Sequence, residues 1–211
     1  MADDRIDERI EELNRGAPTE PRAAAGIVLM RHGGKHSFKG LEVLLGKRTS
    51  KARFMANVWV FPGGAVDGTR DDDEAHRATA LRELEEEAAV ALAGPEALVP
   101  FSRWITPEEV KIRYDTRFYL AQAASHTAPK PDGEEIVELA WFGPADALAR
   151  HGEGQLLLVF PTIKMLETLA HFSSPEEALE TIGALAVEPI LPRVDMSGPE
   201  PRVLLPGDPG Y

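Results

Sequence analysis

The amino-acid sequence predicts an α/β protein with a mixed β-sheet, and three observations lead to that class. Short apolar runs between turn-forming residues fill 23 to 61 and again 98 to 142, as is typical of strands. Between them, residues 74 to 91 have helical composition, with an acidic and an apolar side. Beyond residue 144 the pattern is helical again, so strands and helices share one chain.

The predicted elements follow one another with breakers between them. Residues 4 to 14 predict an N-terminal helix, because Ile6, Ile10 and Leu13 recur at helical spacing before the breaker run at 16 to 21. The predicted strands are 23 to 32 and 41 to 48, joined as a hairpin through GGKHSFKG, then 57 to 61, which stops at Pro62, Gly63 and Gly64, and finally 98 to 104, 116 to 124 and 135 to 142. The predicted helices are 74 to 91, 144 to 150, 161 to 172 and 175 to 185.

We expect one domain with short appendages. The chain has 211 residues, 43% of them hydrophobic, and can bury a sizeable core. The predicted organisation is an N-terminal helix and linker at 1 to 21, a main domain at 22 to 188 and a Pro- and Gly-rich tail at 189 to 211. The tail contains the apolar run VLLP, which we expect to pack against a folded surface. A second subunit, in a homodimer, is one candidate for that surface.

Composition excludes several classes of function. The absence of cysteine rules out disulfides, thiolate zinc sites and a cysteine nucleophile, and it fits a reducing cytoplasm. No apolar run approaches the roughly 20 residues that span a bilayer, so we expect a soluble protein without a membrane partner. The net charge of -12 argues against a nucleic-acid partner, while a small anionic substrate remains compatible with it.

A dense group of glutamates lies in ALRELEEEAAV, residues 80 to 90. On a helix, Glu83, Glu86 and Glu87 share one stripe, where like charges repel one another. Arg82 lies four residues before Glu86 and can pair with it, but one guanidinium cannot neutralise three carboxylates. A divalent cation can, and hard oxygen donors suit Mg²⁺ or Mn²⁺, which commonly bridge protein carboxylates and substrate phosphates.

An ordinary surface helix offers a second interpretation of the same glutamates. Ala78, Leu81, Leu84 and Ala88 fall on the opposite side of the helix, so a solvated acidic face would produce this pattern as well. The six histidines show no metal-ligand spacing and are expected at the surface. The flanking sequence favours the metal hypothesis over the solvated face.

With its flank, the helix reads FPGGAVDGTRDDDEAHRATALRELEEEAAV and resembles the Nudix box, G-x5-E-x7-R-E-U-x-E-E-x-G-U with U aliphatic. Glu74 is followed after seven residues by Arg82 and Glu83, and then by the pair Glu86 and Glu87. The late glycine of the box is replaced by Ala89, which permits close packing but is not expected in a left-handed backbone. Two glycine registers compete, Gly68 at the literal spacing and the earlier Gly pair, which we prefer as the structural equivalent.

This resemblance implies an α/β/α sandwich with a catalytic loop-helix-loop and bound divalent metal. By position, Glu83, Glu86 and Glu87 would be metal ligands, together with a backbone carbonyl of Gly63 or Gly64. Arg82 would orient the carboxylates. One clustered glutamate, Glu86 or Glu87, would take a proton from water, or the base would come from the later loop, where the candidates are Glu134, Glu135 and Glu138.

Residues 44 to 64 resemble the signature of the coenzyme A diphosphatase branch of this family. Arg48, Arg53 and FPGG match in register, while Gly46, Thr49 and Asn57 replace Thr, Ser and Gly. Both arginines are expected to bind substrate phosphates as planar donors. The resemblance implies a small-molecule nucleotide substrate, coenzyme A or acyl-coenzyme A. The alternatives are a Nudix pyrophosphatase for ADP-ribose or a dinucleotide, and a non-catalytic binding module.

Overall fold

A computed structural model describes residues 14, 16–33, 40–52, 55–124, 126–198 and 201–211. The strands of the main sheet are β1 (Arg22–His32), β2 (Leu41–Arg48), β3 (Trp59–Val60), β4 (Gly63–Ala65), β5 (Val99–Ile105), β6 (Tyr114–Gln122), β7 (Ile136–Phe142) and β8 (Pro189–Ile190). The helices are α1 (Asp73–Ala88), α2 (Pro144–Gly152), α3 (Phe160–Leu169) and α4 (Pro175–Gly183). A separate two-stranded sheet consists of β9 (Arg193–Asp195) and β10 (Arg202–Leu204).

The main sheet is mixed, as predicted. Its strand order is β3-β2-β1-β6-β5-β8, with β4 paired to β1 and β7 paired to β2. The central pair, β1 and β6, is parallel from Arg22 opposite Tyr114 to Met30 opposite Gln122, and β5 and β8 are also parallel. The other strand pairs of the described residues are antiparallel, including the predicted β1–β2 hairpin. The α/β class is therefore confirmed.

Helices cover both faces of the sheet, and β1 shows why. Successive side chains of a strand point to opposite faces. Ile27 and Leu29 belong to the buried cluster that contains Leu84 of α1, whereas Val28 and Met30 belong to the cluster that contains residues of α2, α3 and α4. This arrangement is an α/β/α sandwich in which α1 covers one face and the three later helices cover the other.

Helix α1 begins and ends with defined caps. Asp72 accepts a hydrogen bond from the Ala75 N–H at 2.9 Å, and acidic residues fill the first turn, where they complement the helix dipole. The helix ends at Ala88 rather than at 91, because Ala89 adopts φ 53° and ψ 36°. Our expectation that alanine would not take a left-handed backbone was wrong. Hydrogen bonds from Ala89 N to the Glu85 carbonyl and from Val90 N to the Leu84 carbonyl hold this cap.

Replacing Ala89 by glycine is expected to stabilise the protein by about 1 kcal/mol, because an L-residue in the left-handed region carries a steric cost that glycine lacks. The matched control is Ala88→Gly inside the helix, which should destabilise it by about 1 kcal/mol. Chemical denaturation of both variants measures the two free energies of unfolding. Equal losses of stability would contradict the left-handed cap.

Two predicted elements differ in the structure. The third strand ends before Pro62, as predicted, but the Gly pair then forms a strand of its own: Gly63–Ala65 is β4 and pairs with Ala24 to Gly26 of β1. A Cβ on Gly63 would lie 2.5 Å from the Ala25 carbonyl oxygen, so this close pairing requires glycine. The predicted strand at 57 to 61 is reduced to Trp59–Val60. The predicted N-terminal helix and the turn of the first hairpin lie almost entirely outside the described residues.

The C-terminal tail folds onto its own chain. Pro189–Ile190 extends the main sheet beside β5, and β9 pairs with β10. Leu205, from the apolar VLLP run, packs against the core cluster on the side of α2, α3 and α4. A homodimer stays a prediction. None of the helices in the described part of the chain has the length and apolar character needed to cross a membrane.

Candidate active site

The site begins where the C-terminal half of α1 meets β4. The Gly63 N–H donates a hydrogen bond to the Glu87 carboxylate at 2.9 Å. A Cβ on Gly64 would lie 2.2 Å from a carboxylate oxygen of Glu83, so this glycine leaves room for that side chain. Gly68, by contrast, has φ +73°, and no heavy atom of the described residues lies within 4 Å of its ideal Cβ position. The structure therefore places the Gly pair, and not Gly68, against the glutamates.

Glu87 is a buried carboxyl group with a raised pKa. The residue is only 4% exposed. Burial raises the pKa of Glu87 from 4.5 to about 8, and the negative charges of Glu83 and Glu135 add to this rise. The Gly63 N–H and the positive charge of Arg48 oppose it. Burial also raises the pKa of Glu83, against the lowering effect of Arg82. Placing negative charge at this pair is therefore costly unless a cation accompanies it.

The stability of the metal-free protein should consequently fall as the pH rises between about 4.5 and 8. A carboxyl whose pKa is higher in the folded state binds its proton more tightly there, so it stabilises the fold below pH 4.5 and loses this contribution as pH passes the folded pKa of about 8. Thermal unfolding in a chelator across this pH range measures the effect. Glu87→Gln should flatten the profile; an unchanged slope in that variant would assign the pH dependence to other groups.

Arg82 joins two carboxylates of the acidic stripe. Its guanidinium lies 2.8 Å from a Glu83 oxygen and 2.7 Å from a Glu86 oxygen, which includes the pairing predicted from sequence. A longer hydrogen bond, 3.4 Å, reaches the carbonyl oxygen of Ala65 in β4. The Glu86 side chain is 58% exposed, unlike those of Glu83 and Glu87. Arg82 therefore fixes the spacing of the stripe and anchors it to β4.

Two further residues predicted from the sequence, Arg48 and Glu135, lie close enough to Glu87 to act on its charge. Arg48 ends β2 close enough to Glu87 to lower its pKa, and the buried Nε of Arg48 has no hydrogen-bond partner among the described residues. Glu135 precedes β7, is exposed, and raises the pKa of both Glu83 and Glu87 by like-charge repulsion. Arg53 lies outside the described residues. Glu138 is turned to Lys47, at 3.9 Å.

The oxygen donors of this site are of the kind that hard divalent cations prefer. No group of three acidic or histidine side chains in the described part of the chain converges to hold a metal ion by itself. Mg²⁺ does not require such a cage, because it is usually bound by one or two carboxylates while waters and substrate phosphates complete its shell. Buried Glu87 and Glu83, whose side chain is 14% exposed, offer carboxylate oxygens of that kind, and the backbone of the adjacent Gly pair offers carbonyl oxygens.

His76 is an internal residue that the sequence did not reveal. The expectation of surface histidines was wrong here, since His76 is 0% exposed. One ring nitrogen lies 3.0 Å from the Ala24 carbonyl oxygen and the other 2.7 Å from the Asp71 carboxylate, which Arg117 also contacts. These contacts tie α1 to β1 and to the long loop after β4.

Comparison with known proteins identifies the family. Residues 20–159 match the family model described as the NUDIX domain, which is more than half of the chain. The chain belongs to the Nudix family. The resemblance of residues 61 to 90 to the Nudix box is confirmed at the level of the family. Nudix hydrolases generally use divalent metal ions, in agreement with the donor chemistry of the site.

Several relatives share this Nudix domain. "Putative nudix hydrolase 7" of Caenorhabditis elegans is 29% identical over 164 residues, covering 61% of this chain and 55% of that protein. The chain thus spans about half the length of this curated relative. A Nudix hydrolase structure from Alicyclobacillus acidocaldarius is 28% identical, with a TM-score of 0.69 and coverage of 78% of this chain and 97% of that one.

A third relative was solved with a ligand. The NUDIX domain of Shewanella oneidensis NrtR, complexed with ADP ribose, is 25% identical to this chain, with a TM-score of 0.54. The match covers 71% of this chain and 86% of that one. The coenzyme A branch stays a prediction.

Proposed function

We propose that this Nudix domain is a divalent-cation-dependent diphosphatase. It hydrolyses a diphosphate bond in a nucleoside diphosphate linked to another moiety, with coenzyme A or acyl-coenzyme A as the substrate class. One observation carries the proposal: Glu83 and Glu87 are held, largely buried, against the backbone of Gly63 and Gly64 where β4 meets α1. Burying two neighbouring carboxylates is costly unless a cation compensates them.

Glu83 and Glu87 would hold Mg²⁺ or Mn²⁺, with a backbone carbonyl of Gly63 or Gly64, and Glu86 is proposed as a further ligand on the resemblance to the Nudix box alone. When bound, the cation neutralises charge on the diphosphate and lowers the pKa of water. Arg82 orients Glu83 and Glu86, as its two short ion pairs indicate. Glu86 is the most exposed of the three glutamates, so it faces solvent and substrate.

We assign the removal of the proton from water to Glu135. Its carboxylate is exposed and lies near Glu83 and Glu87, whose pKa values it raises. A general base must reach the proton that it removes, and an exposed carboxylate outside the cation's donor set is free to do so. Glu86 and Glu87 remain the alternatives within the stripe.

Arg48 supports the recognition of a phosphate beside the buried pair. Its Nε is an unused donor among the described residues, and its charge acts on Glu87. Asn57, where the coenzyme A signature has glycine, adopts φ 62°, a conformation that asparagine tolerates better than most residues. The positive φ at Asn57 is a conformation that the glycine of the signature would also adopt readily. Arg53 is proposed as the second phosphate ligand on sequence alone.

A second candidate substrate is ADP-ribose or a dinucleotide. The observation that favours it is the similarity to the NrtR domain, which was solved with ADP ribose at 25% identity. A third candidate is a Nudix-fold binding module without catalysis. All three candidates use the same acidic site. The products separate the two substrate classes, and the absence of products identifies the binding module.

Product analysis by mass spectrometry tests the proposal. The substrates are coenzyme A, acetyl-coenzyme A, ADP-ribose, NADH and nucleoside triphosphates, each with Mg²⁺ or Mn²⁺. Metal-dependent release of adenosine 3′,5′-bisphosphate and a phosphopantetheine species supports the coenzyme A assignment. Cleavage of ADP-ribose or NADH in preference overturns that assignment and keeps the chemistry. Binding without turnover across the panel would support the non-catalytic module.

A further inference from the structure

Asp132 organises the loop that precedes β7. Its Oδ1 accepts hydrogen bonds from the backbone N–H groups of Glu134, of Glu135 at 2.9 Å and of Ile136 at 3.2 Å. Gly133 closes the turn with φ +81°, and its N–H donates to the Ile136 carbonyl at 2.9 Å. A single side-chain oxygen therefore collects three consecutive backbone donors, as aspartate side chains do in turns.

The same segment is fixed from the opposite side by the end of β2. The Thr49 N–H donates to the Glu135 carbonyl at 2.8 Å, and Ile136 pairs with Arg48 across a register irregularity in β2. The backbone of Glu135 is thus bonded through its N–H to Asp132 and through its carbonyl to Thr49. Because the Glu135 side chain is exposed and not held by core packing, these two backbone hydrogen bonds fix the position of the residue.

Fixing Glu135 in this way brings its charge to the site. Arg48, the strand partner of Ile136, acts on the buried Glu87 carboxyl. The Lys130 N–H, two residues before Asp132, donates to the carbonyl of Ala88, the residue after Glu87, at 2.9 Å. The loop before β7 is therefore bonded to the end of α1 that carries Glu83 and Glu87, where the like charge of Glu135 acts on both carboxyls.

We propose that Asp132 is a positioning residue that holds the Glu135 carboxylate beside the Glu83 and Glu87 pair, acting through its acceptor oxygen and not through its charge. The inference rests on the proposed function, in which Glu135 takes the proton from water. Asp132 would need its negative charge to act as a metal ligand or as a base. To position Glu135 it needs only its acceptor oxygen.

The chemistry of the side chain provides the discriminating variants. An asparagine side chain at this position would keep a carbonyl oxygen where the three N–H groups converge, and the second oxygen of Asp132 makes only a 3.4 Å contact with Ile136 N. We therefore expect Asp132→Asn to retain activity within about twofold. Asp132→Ala removes the acceptor and should lower kcat by about 10- to 100-fold with little change in KM, since a displaced general base loses part of its contribution.

The experiment measures kcat and KM, on the best substrate at saturating Mg²⁺, for wild type, Asp132→Asn, Asp132→Ala, Glu135→Gln and the double variant Asp132→Ala/Glu135→Gln. If Asp132 acts through Glu135, the double variant should be no slower than Glu135→Gln alone. Asp208→Ala is the control, because Asp208 also accepts a backbone hydrogen bond in a turn, from Leu205 N, but in the C-terminal tail. It should leave kcat unchanged.

Two kinetic results would overturn the proposal: an Asp132→Asn variant as slow as Asp132→Ala, or additive losses in the double variant. If wild type hydrolyses no substrate, the proposed function fails, and amide hydrogen exchange tests the positioning role separately. Exchange at Glu135 and Ile136 should accelerate in Asp132→Ala and stay slow in Asp132→Asn. Unchanged exchange in both variants would overturn the positioning role as well.

Discussion

Replacing Glu86 by glutamine is expected to lower the kcat of metal-dependent diphosphate hydrolysis by about two to three orders of magnitude. The substitution keeps the size of the side chain and removes its charge. Because the Glu86 side chain is 58% exposed, the fold should be preserved, and the loss would report on the site itself. Steady-state kinetics with Mg²⁺ or Mn²⁺ measure the effect, alongside thermal unfolding to verify that the variant is folded.

Glu85 provides the matched control on the same helix. It is exposed, as Glu86 is, and lies outside the stripe formed by Glu83, Glu86 and Glu87. Glu85→Gln changes the net charge by the same amount, so long-range electrostatics are equal in the two variants. We expect wild-type kcat from Glu85→Gln. Equal losses at both positions would indicate that the helix contributes only a diffuse negative field.

Alanine substitutions at the two neighbouring glycines should differ in effect: Gly63→Ala should mainly lower stability, and Gly64→Ala should mainly lower activity. A Cβ on Gly63 would lie 2.5 Å from the Ala25 carbonyl oxygen and 2.7 Å from Gly26 Cα, both backbone atoms that cannot move without distorting β1. Gly63→Ala is therefore expected to destabilise the protein by about 3 kcal/mol. A Cβ on Gly64 would meet the end of the Glu83 side chain at 2.2 Å, and a side chain can rotate away.

For Gly64→Ala we accordingly expect a loss of stability below about 1 kcal/mol and a fall in kcat of at least about tenfold, as the Glu83 carboxylate is displaced. Denaturant unfolding and steady-state kinetics on both variants separate the two effects. A Gly64→Ala enzyme with normal kcat would show that the position of Glu83 against β4 is unimportant for catalysis. A stable Gly63→Ala variant would contradict the tight pairing of β4 with β1.

The order of strands and helices follows from the sequence because apolar periodicity and breakers are local signals. The stripe of Glu83, Glu86 and Glu87 follows for the same reason, since helical geometry alone aligns residues three and four apart. The burial of Glu87 does not follow, because it depends on β4 folding back over α1. A run of glycine and proline is typical of a turn, and only the tertiary structure shows that Gly63–Ala65 pairs with β1.

Other features depend on contacts distant in sequence. His76 gave no local signal, since its partners are Ala24, 52 residues earlier, and the loop residue Asp71. The bonds of Asp132 to the following N–H groups are local, whereas the bond from Thr49 N to the Glu135 carbonyl depends on β7 lying beside β2. At Ala89, backbone propensity disfavours the left-handed conformation that the chain adopts. Packing of Val90 and Ala88 in the core outweighs this local cost of about 1–2 kcal/mol.

The most direct test of the central claim is the dependence of turnover on the divalent cation. Wild-type protein, dialysed against a chelator, is titrated with Mg²⁺ and with Mn²⁺ while product release from the best diphosphate substrate is followed by mass spectrometry. We predict no hydrolysis without the cation, full restoration by it in wild type, and a restored kcat about two to three orders of magnitude lower in Glu86→Gln. Hydrolysis that persists in the chelator, or that Glu86→Gln performs as well as wild type, would contradict the assignment of the acidic stripe as the catalytic site.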